Sequence, residues 1–416
     1  MQSRIVRSLY ISYNGINEPI VRSQVIPYLR ELSKKGIRFY LLTFEKERLD
    51  RSERNRIRSM LDAQFAGGAG VEWLSLTYHK WPSVPAKVFD IAAGFIYASY
   101  IIMAHKIDIV HARAIVAAAA GLGPAKLFGR KFIFDTRGID SEEYVDGALW
   151  PRGGFRHTSA RFFEDVITRS SDRVIVLTDI FLGIMKERYK SGRERFSAIP
   201  CAVDTGLFKF RAEKDPGVVE RLRLKDKFVI VYSGSLGTWY MLGEMVGLFA
   251  EAMKHIGNAH LLIITGADRG IVTDAMKEGL VDERRVTVID AAYEEMPGYL
   301  SACDLGIFFI KPVFSKLSSS PVKFAEYLAS GLPVIINSGI GDTDGIVKRY
   351  DVGAVVGNFT ARDYSGAVEY VISMLKNGKE GLKKRCAAAA EKEFSLTEAV
   401  ERYSRIYSSL ITDRTK

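Results

Sequence analysis

Residues 311–335 read KPVFSKLSSSPVKFAEYLASGLPVI. Lys316, Ser318, Ser319 and Ser320 stand ahead of a helix that Pro321 can open, because proline suits the first helical turn. A helix N-terminus presents unpaired amides and the positive end of the helix dipole. With Lys316 and Lys323 beside it, that terminus could hold a diphosphate. Glu326 lies three residues beyond Lys323, hence on the same face, and could accept hydrogen bonds from two ribose hydroxyls. The same spacing also describes an ordinary surface ion pair, and spacing alone leaves both readings open.

Other loops carry weaker signals. In NGINEPIVRSQVIPYL (14–29), Gly15 permits a tight turn, and Ser23 is the expected N-cap of the helix that follows. In YSGSLGTWYM (232–241), Gly234 and Gly237 allow a ligand to approach the backbone closely. Neither segment is a Walker loop or a GxGxxG fingerprint. Asp342-Thr343-Asp344 is the kind of pair that can hold Mg2+ on a diphosphate, but its flanking glycines favour a plain loop, and no metal is expected there. The three cysteines, Cys201, Cys303 and Cys386, lie too far apart for a zinc site and fit a reducing compartment.

Charge is unevenly spread. Residues 1–200 hold 31 Lys+Arg against 21 Asp+Glu, whereas 201–416 hold 28 of each, so the whole excess of +10 sits in the first half. Such a half suits a solvated basic surface or an anionic neighbour. The chain has no RNA-recognition motif, zinc finger or basic heptad helix, so a membrane surface or an anionic acceptor is expected ahead of nucleic acid. The start, MQSRIVRSLYISY, lacks the pattern of a signal peptide and reads as the first strand of a cytoplasmic protein. The apolar run 88–104 contains Asp90 and, at 17 residues, is short for a bilayer crossing, which makes a buried or interface-facing helix the expectation.

The elements that must position these residues alternate in type. SLYISY (8–13), FYLLTF (39–44), VEWLSL (71–76), DIVHA (108–112), KFIFD (131–135) and RVIVLT (173–178) read as buried parallel strands between amphipathic helices. A second series follows in FVIVYSG (228–234), HLLIITG (260–266), RVTVID (285–290), LGIFFI (305–310), LPVIIN (332–337) and GAVVG (353–357). Each series predicts a doubly wound α/β domain. The charged segment 209–227 reads as the linker between them, and 394–410 as a closing amphipathic helix.

At this point the chain resembles the family 4 glycosyltransferases. Their Glu-x7-Glu signature is matched at its second position by Glu326 and by the turn Ala329-Ser330-Gly331-Leu332-Pro333-Val334, while Ser318 stands at the first glutamate. Ser319-Ser320-Pro321-Val322-Lys323 through Glu326-Tyr327 is similar to the Ser-x-Pro-x-Lys-x-x-Glu-Tyr version of a subset of the family. The amino-terminal strand, glycine loop and helix, FFEDVITRSSDRVIVLTD, IPCAVDTGLF and the closing FSLTEAVERYSRIY are like family segments in the same order.

The resemblance implies the GT-B fold: Rossmann-like domains at 1–203 and 204–393 facing a central cleft, with 394–416 crossing back to the first. It implies a retaining, metal-independent transferase that needs no cofactor and takes its sugar from a UDP- or GDP-type nucleotide sugar. The expected acceptor is anionic or lipid-linked, or a polysaccharide, at the cytoplasmic membrane face. Donor contacts are expected from Gly15, Gly234, Ser235, Lys316, Ser318, Ser319, Ser320, Lys323 and Glu326, with Lys323 also stabilising the leaving group. Arg137, with Asp135 to orient it, stands where relatives place a histidine facing the sugar, and is expected to contact the reacting sugar or an acceptor phosphate; a buried Asp–Arg pair bracing the loop is the alternative. Arg113 and His111 are expected on the acceptor side, His111 also fitting a structural histidine. The family's usual Arg and Lys after the second glycine loop are replaced by Thr238-Trp239-Tyr240. A sugar-nucleotide 2-epimerase is a second enzyme class on the same fold, and these departures keep a third reading open, a non-catalytic scaffold.

Overall fold

The computed structural model describes residues 5–190 and 192–412. The chain divides into two compact units. One runs to Pro200 and is completed from Leu396 onward; the other is Cys201–Ser395.

Among the described residues the first unit is built on seven parallel strands: β1 Val6–Ser12, β2 Ile37–Glu45, β3 Val71–Thr77, β4 Ile109–Arg113, β5 Lys131–Asp135, β6 Arg173–Val176 and β7 Phe196–Ala198. Their order is β3-β2-β1-β4-β5-β6-β7. Helices cover both faces of such a sheet, so its central strands bury side chains in both directions and read as continuous apolar runs. β7 escaped the sequence pattern because it is a three-residue edge strand with only Phe196 buried. The second unit repeats the plan with β8 Phe228–Ser233, β9 Ala259–Ile264, β10 Val286–Ile289, β11 Leu305–Phe308, β12 Val334–Asn337 and β13 Gly353–Val356. Here the order is β10-β9-β8-β11-β12-β13. In each sheet the order reverses beside the first strand, between β1 and β4 and between β8 and β11. Ligands of doubly wound sheets bind at the carboxyl ends of the strands at that reversal.

Three local expectations are corrected. The helix after β1 starts at Pro19 rather than near Ser23: Glu18 is its N-cap residue, and the Ser23 hydroxyl donates to Pro19 O inside it at 2.8 Å. Residues 209–227 are no linker. They fold into the second unit through the helix Pro216–Arg221, with Val218 and Leu224 buried and Lys214 bonded to Asp304. The apolar run 88–104 is the middle of a longer helix, Ser83–His105, whose 23 residues are long enough to cross a bilayer. It is the connection from β3 to β4 in one sheet and buries one stripe of its surface.

The last helix, Leu396–Thr412, belongs to the first unit and packs on the helix Ile26–Lys34. In the second unit the helix Val322–Ala329 lies against β8 and β11. Tyr327 anchors it, its hydroxyl accepting from Ser233 N at 2.7 Å. Gly306 makes this possible: a Cβ there would sit 2.4 Å from the Tyr327 ring.

Candidate functional site

The reversal in the second sheet gathers most of the residues singled out for donor binding. Gly234, directly after β8, has φ +124 and donates its amide to Ile264 O at 2.9 Å. Lys323 approaches it so closely that a Cβ on Gly234 would lie 2.8 Å from the ammonium. That position therefore needs glycine for both its backbone conformation and its space. The following loop turns at Gly237 and is laced to the end of β11, with Met241 N donating to Phe309 O and Lys311 N to Trp239 O, each at 3.0 Å. Asn337 fixes the same strand end from the other side, accepting from Ile310 N and donating to Ile310 O at 2.8 Å each.

The serine-rich loop forms a 3-10 turn, Phe314–Ser318, ahead of the helix. Its three consecutive serines, Ser318 to Ser320, divide their work. Ser318 is buried and donates back to Ser315 O at 2.7 Å. Ser320 accepts from Cys201 N at 3.1 Å. The Ser319 hydroxyl makes no hydrogen bond among the described residues and is half-buried. No side chain caps the N-terminus of Val322–Ala329, and its first-turn amides are thus those a ligand oxygen could meet.

Lys323 and Glu326 are both buried, which excludes a surface ion pair. Among the described residues the Lys323 ammonium has no hydrogen-bond partner; it lies between two tyrosine rings, 4.1 Å from the centroid of Tyr232 and 3.7 Å from that of Tyr240. Lys316 stands 3.9 Å over the Trp239 ring. Trp239 and Tyr240, which replace the family's usual cations, thus hold both lysines by cation–π contact. Burial drives the Lys323 pKa well below the ordinary lysine value, with Glu326 opposing the shift. Burial pushes Glu326 up to about 7, with Lys323 holding it back. A cation without a partner and a carboxylate near its neutral form describe a site shaped for charge that a ligand would bring.

In the first unit the reversal is closed upon itself. Asp135, at the end of β5, is wholly buried, bonded to the Arg137 guanidinium and to the Tyr403 hydroxyl at 3.1 Å. His111 Nε2 lies 3.4 Å from the same carboxylate and Nδ1 is 2.8 Å from the Tyr407 hydroxyl. Burial alone would raise Asp135, but Arg137, His111 and Arg113 outweigh it and hold its pKa at about 2. Desolvation keeps His111 below its ordinary value. Arg113 is buried at the end of β4. The amides around Gly15 are already engaged: Gly15 N donates to Glu18 at 2.8 Å and Ile16 N to the buried Glu45 at 3.1 Å. The Asp342-Thr343-Asp344 segment opens the helix Thr343–Tyr350, and among the described residues no group of three or more His, Cys, Asp or Glu could hold a metal ion.

Two family descriptions match the chain in sequence: Glycosyltransferase Family 4 over residues 24–207 and Glycosyl transferases group 1 over residues 227–377. The chain belongs to the family 4 glycosyltransferases. No curated protein matches it. Solved structures with similar folds include a glycosyltransferase from Rickettsia africae (TM-score 0.69, 14% identity, 98% of this chain and 99% of that one). Anabaena Alr3699/HepE in complex with UDP and glucose has TM-score 0.69 and 15% identity, covering 97% and 100%. Sucrose-phosphate synthase from Thermosynechococcus elongatus has TM-score 0.70 and 16% identity, covering 98% and 100%. Both units of this glycosyltransferase have the sheets of the two-domain α/β GT-B fold.

Several residues of the candidate site carry no signal in the sequence. Tyr232 reads as a strand residue, and Asn337 as the end of an apolar strand. Tyr403 and Tyr407 sit some 270 residues beyond Asp135, and the sequence marks them only as part of an amphipathic helix. Tyr403→Phe tests the bracing geometry: losing a hydrogen bond to a buried carboxylate should cost about 2 kcal/mol. Thermal melting should show that loss, with nucleotide affinity unchanged.

Proposed function

We propose that this glycosyltransferase moves a glycosyl group, with retention and without a metal, from a UDP- or GDP-type sugar to a lipid-linked, anionic or polysaccharide acceptor. The reaction would run at the cytoplasmic face of the membrane. The observation that carries the donor assignment is the buried, unpartnered Lys323 ammonium, set beside Gly234 and the uncapped start of Val322–Ala329. A solved structure of similar fold contains UDP and glucose, which supports a nucleotide donor.

In this reading the diphosphate lies across Gly234 and Ser235 and the helix start, with Ser319 in reach, and Lys323 and Lys316 share its charge. As the bond from the anomeric carbon to the diphosphate breaks, negative charge grows on the leaving oxygen. A cation already fixed in a dry site stabilises that charge without reorganising. The acceptor oxygen bonds to the anomeric carbon on the face the diphosphate leaves, and its proton passes to a phosphate oxygen. Glu326, one turn deeper, accepts from the ribose hydroxyls. Ser318 and Ser320 shape the loop, their hydroxyls being bonded to protein. Asp135 and His111 hold Arg137 and the last helix in place; Arg137 and Arg113 supply positive charge on the acceptor side.

Calorimetric titration with UDP, GDP, ADP and their common sugar conjugates tests the donor. Binding of at least one, and turnover of its sugar conjugate that persists in EDTA, is expected. Absence of binding across the panel sinks the transferase assignment, and isomerised donor formed without an acceptor would favour the epimerase.

A further inference from the structure

We infer that the outer face of the helix Ser83–His105, continued by the aromatic cluster of the helix Phe155–Ser170, docks in the surface of an anionic lipid bilayer. The inference rests on the membrane setting of the proposed function and names the surface that would create it.

The helix Ser83–His105 buries a single stripe, Ala86, Asp90, Gly94, Ala98, Ile101 and Ile102. Gly94 lets it settle closely, since a Cβ there would meet Ala120 at 2.9 Å and Phe44 at 3.1 Å. The opposite face is left to solvent, and between Trp81 and Ala104 no exposed position carries a charge. Trp81 is 85% exposed, and Val88, Phe89, Ile96, Tyr100 and Met103 are each more than half exposed. A helix apolar all round is normally buried all round. A contiguous apolar face of about 35 Å, the length of 23 helical residues, marks an interaction surface rather than scattered exposure.

The neighbouring elements extend this face. Ser83–His105 packs on Ala114–Leu127, which in turn packs on Phe155–Ser170, so the three lie side by side on one side of the sheet. Phe155 is 88% exposed, and Phe162 and Phe163 both exceed 60%.

Charge decides what covers it. Over residues 80–108 the carboxylates, Asp90 and Asp108, are buried, while Lys80 and Lys106 are exposed at the two ends. Arg156 and Arg161 are exposed on the Phe155–Ser170 helix among its phenylalanines. Apolar side chains bordered by cations suit acyl chains bordered by anionic headgroups. Two copies of the helix packed together would set lysine against lysine in either direction. A crossing helix would not fit this fold, because the helix connects β3 to β4 within one sheet and buries a stripe against it. It also holds buried Asp90, which accepts from the Tyr13 hydroxyl at 2.7 Å and from His79 N at 3.0 Å.

The test is flotation of the full chain with vesicles of phosphatidylcholine alone, or with roughly a third phosphatidylglycerol. Wild type should float with the anionic vesicles, less so in high salt. The triple variant Phe89→Ser, Ile96→Ser, Met103→Ser changes exposed positions only and should lose at least ~10-fold of its bound fraction while melting normally. All three native cysteines are buried, so a polarity-sensitive dye attached through Ile96→Cys should shift to the blue on anionic vesicles, and one attached through Leu280→Cys in the other unit should not. If wild type and triple variant float equally, the surface is overturned and the membrane setting stands. If wild type floats with no vesicle, both are overturned, with donor binding untouched. A dimer seen by light scattering that the triple variant dissolves, without flotation, gives the face to a second copy and overturns the lipid assignment.

Discussion

Lys323→Met is expected to stabilise the unliganded protein and to disable it. The ammonium is buried, without a hydrogen-bond partner, between Tyr232 and Tyr240. Cation–π attraction returns about 2 kcal/mol or somewhat more when desolvated, less than an unpaired buried charge costs. Methionine is similar in length, keeps the contact with both rings through its sulfur, and carries no charge to desolvate. A gain of about 1–3 kcal/mol in unfolding free energy is therefore expected near neutral pH. Its pH dependence follows from the depressed lysine pKa. Between that lowered value and the ordinary 10.5 the unfolded chain binds a proton that the native state does not, so wild-type stability falls as pH drops through this window. The advantage of the variant should accordingly shrink toward pH 10.5 and grow below it. Turnover should fall by ~100–1,000-fold, the usual effect of removing one preorganised charge stabiliser. UDP affinity should fall with it, and doubly so: without Lys323 the pKa of Glu326 rises further and the carboxyl loses its charge at neutral pH. Calorimetry on the variant measures the affinity, and an unchanged value would remove Lys323 from the diphosphate.

Much of this fold was legible because it is written in buried strands. Twelve mainly apolar or β-branched segments of five to seven residues recur along the chain, and a strand covered on both faces has little choice of composition. β7, with one face and three residues, left no such mark. The lysines, Glu326 and the glycines of the second unit were legible from position, since a loop after a strand and before a helix has few uses for them together. What sequence could not show was direction. Ser318 looked like a shortened donor contact, yet its hydroxyl bonds within its own turn at 2.7 Å. Trp239 and Tyr240 looked like the loss of a phosphate clamp. In the fold their rings carry Lys316 and Lys323, so the departure reads as a different way of holding two cations rather than as decay. Asp135 and His111 are chemically able residues at the right strand ends, and only the position of Tyr403 and Tyr407, far along the chain, shows that they face inward.

Glu326→Gln separates the ribose contact from the general demands of burial. In the fold the carboxyl takes up its proton near 7, against 4.5 ordinarily. Between those values the native state holds a proton the unfolded chain has released, so stability falls as pH rises across the window, by about 3 kcal/mol in all. Glutamine abolishes that loss but leaves a buried amide to satisfy, which offsets part of the gain. A net gain of about 1–2 kcal/mol, or a melting temperature several degrees higher, is expected at pH 8, vanishing by pH 5. Function should move the other way. A carboxylate accepting from two ribose hydroxyls contributes about 1.5–3 kcal/mol for each charged bond, so UDP should bind the variant ~10–100-fold more weakly. The comparison with 2',3'-dideoxy-UDP decides between meanings of that loss. Wild type should prefer UDP strongly over the dideoxy form, whereas the variant should bind the two almost alike. If the preference survives in Glu326→Gln, the ribose is held elsewhere and the raised pKa reflects burial beside Lys323 and nothing more.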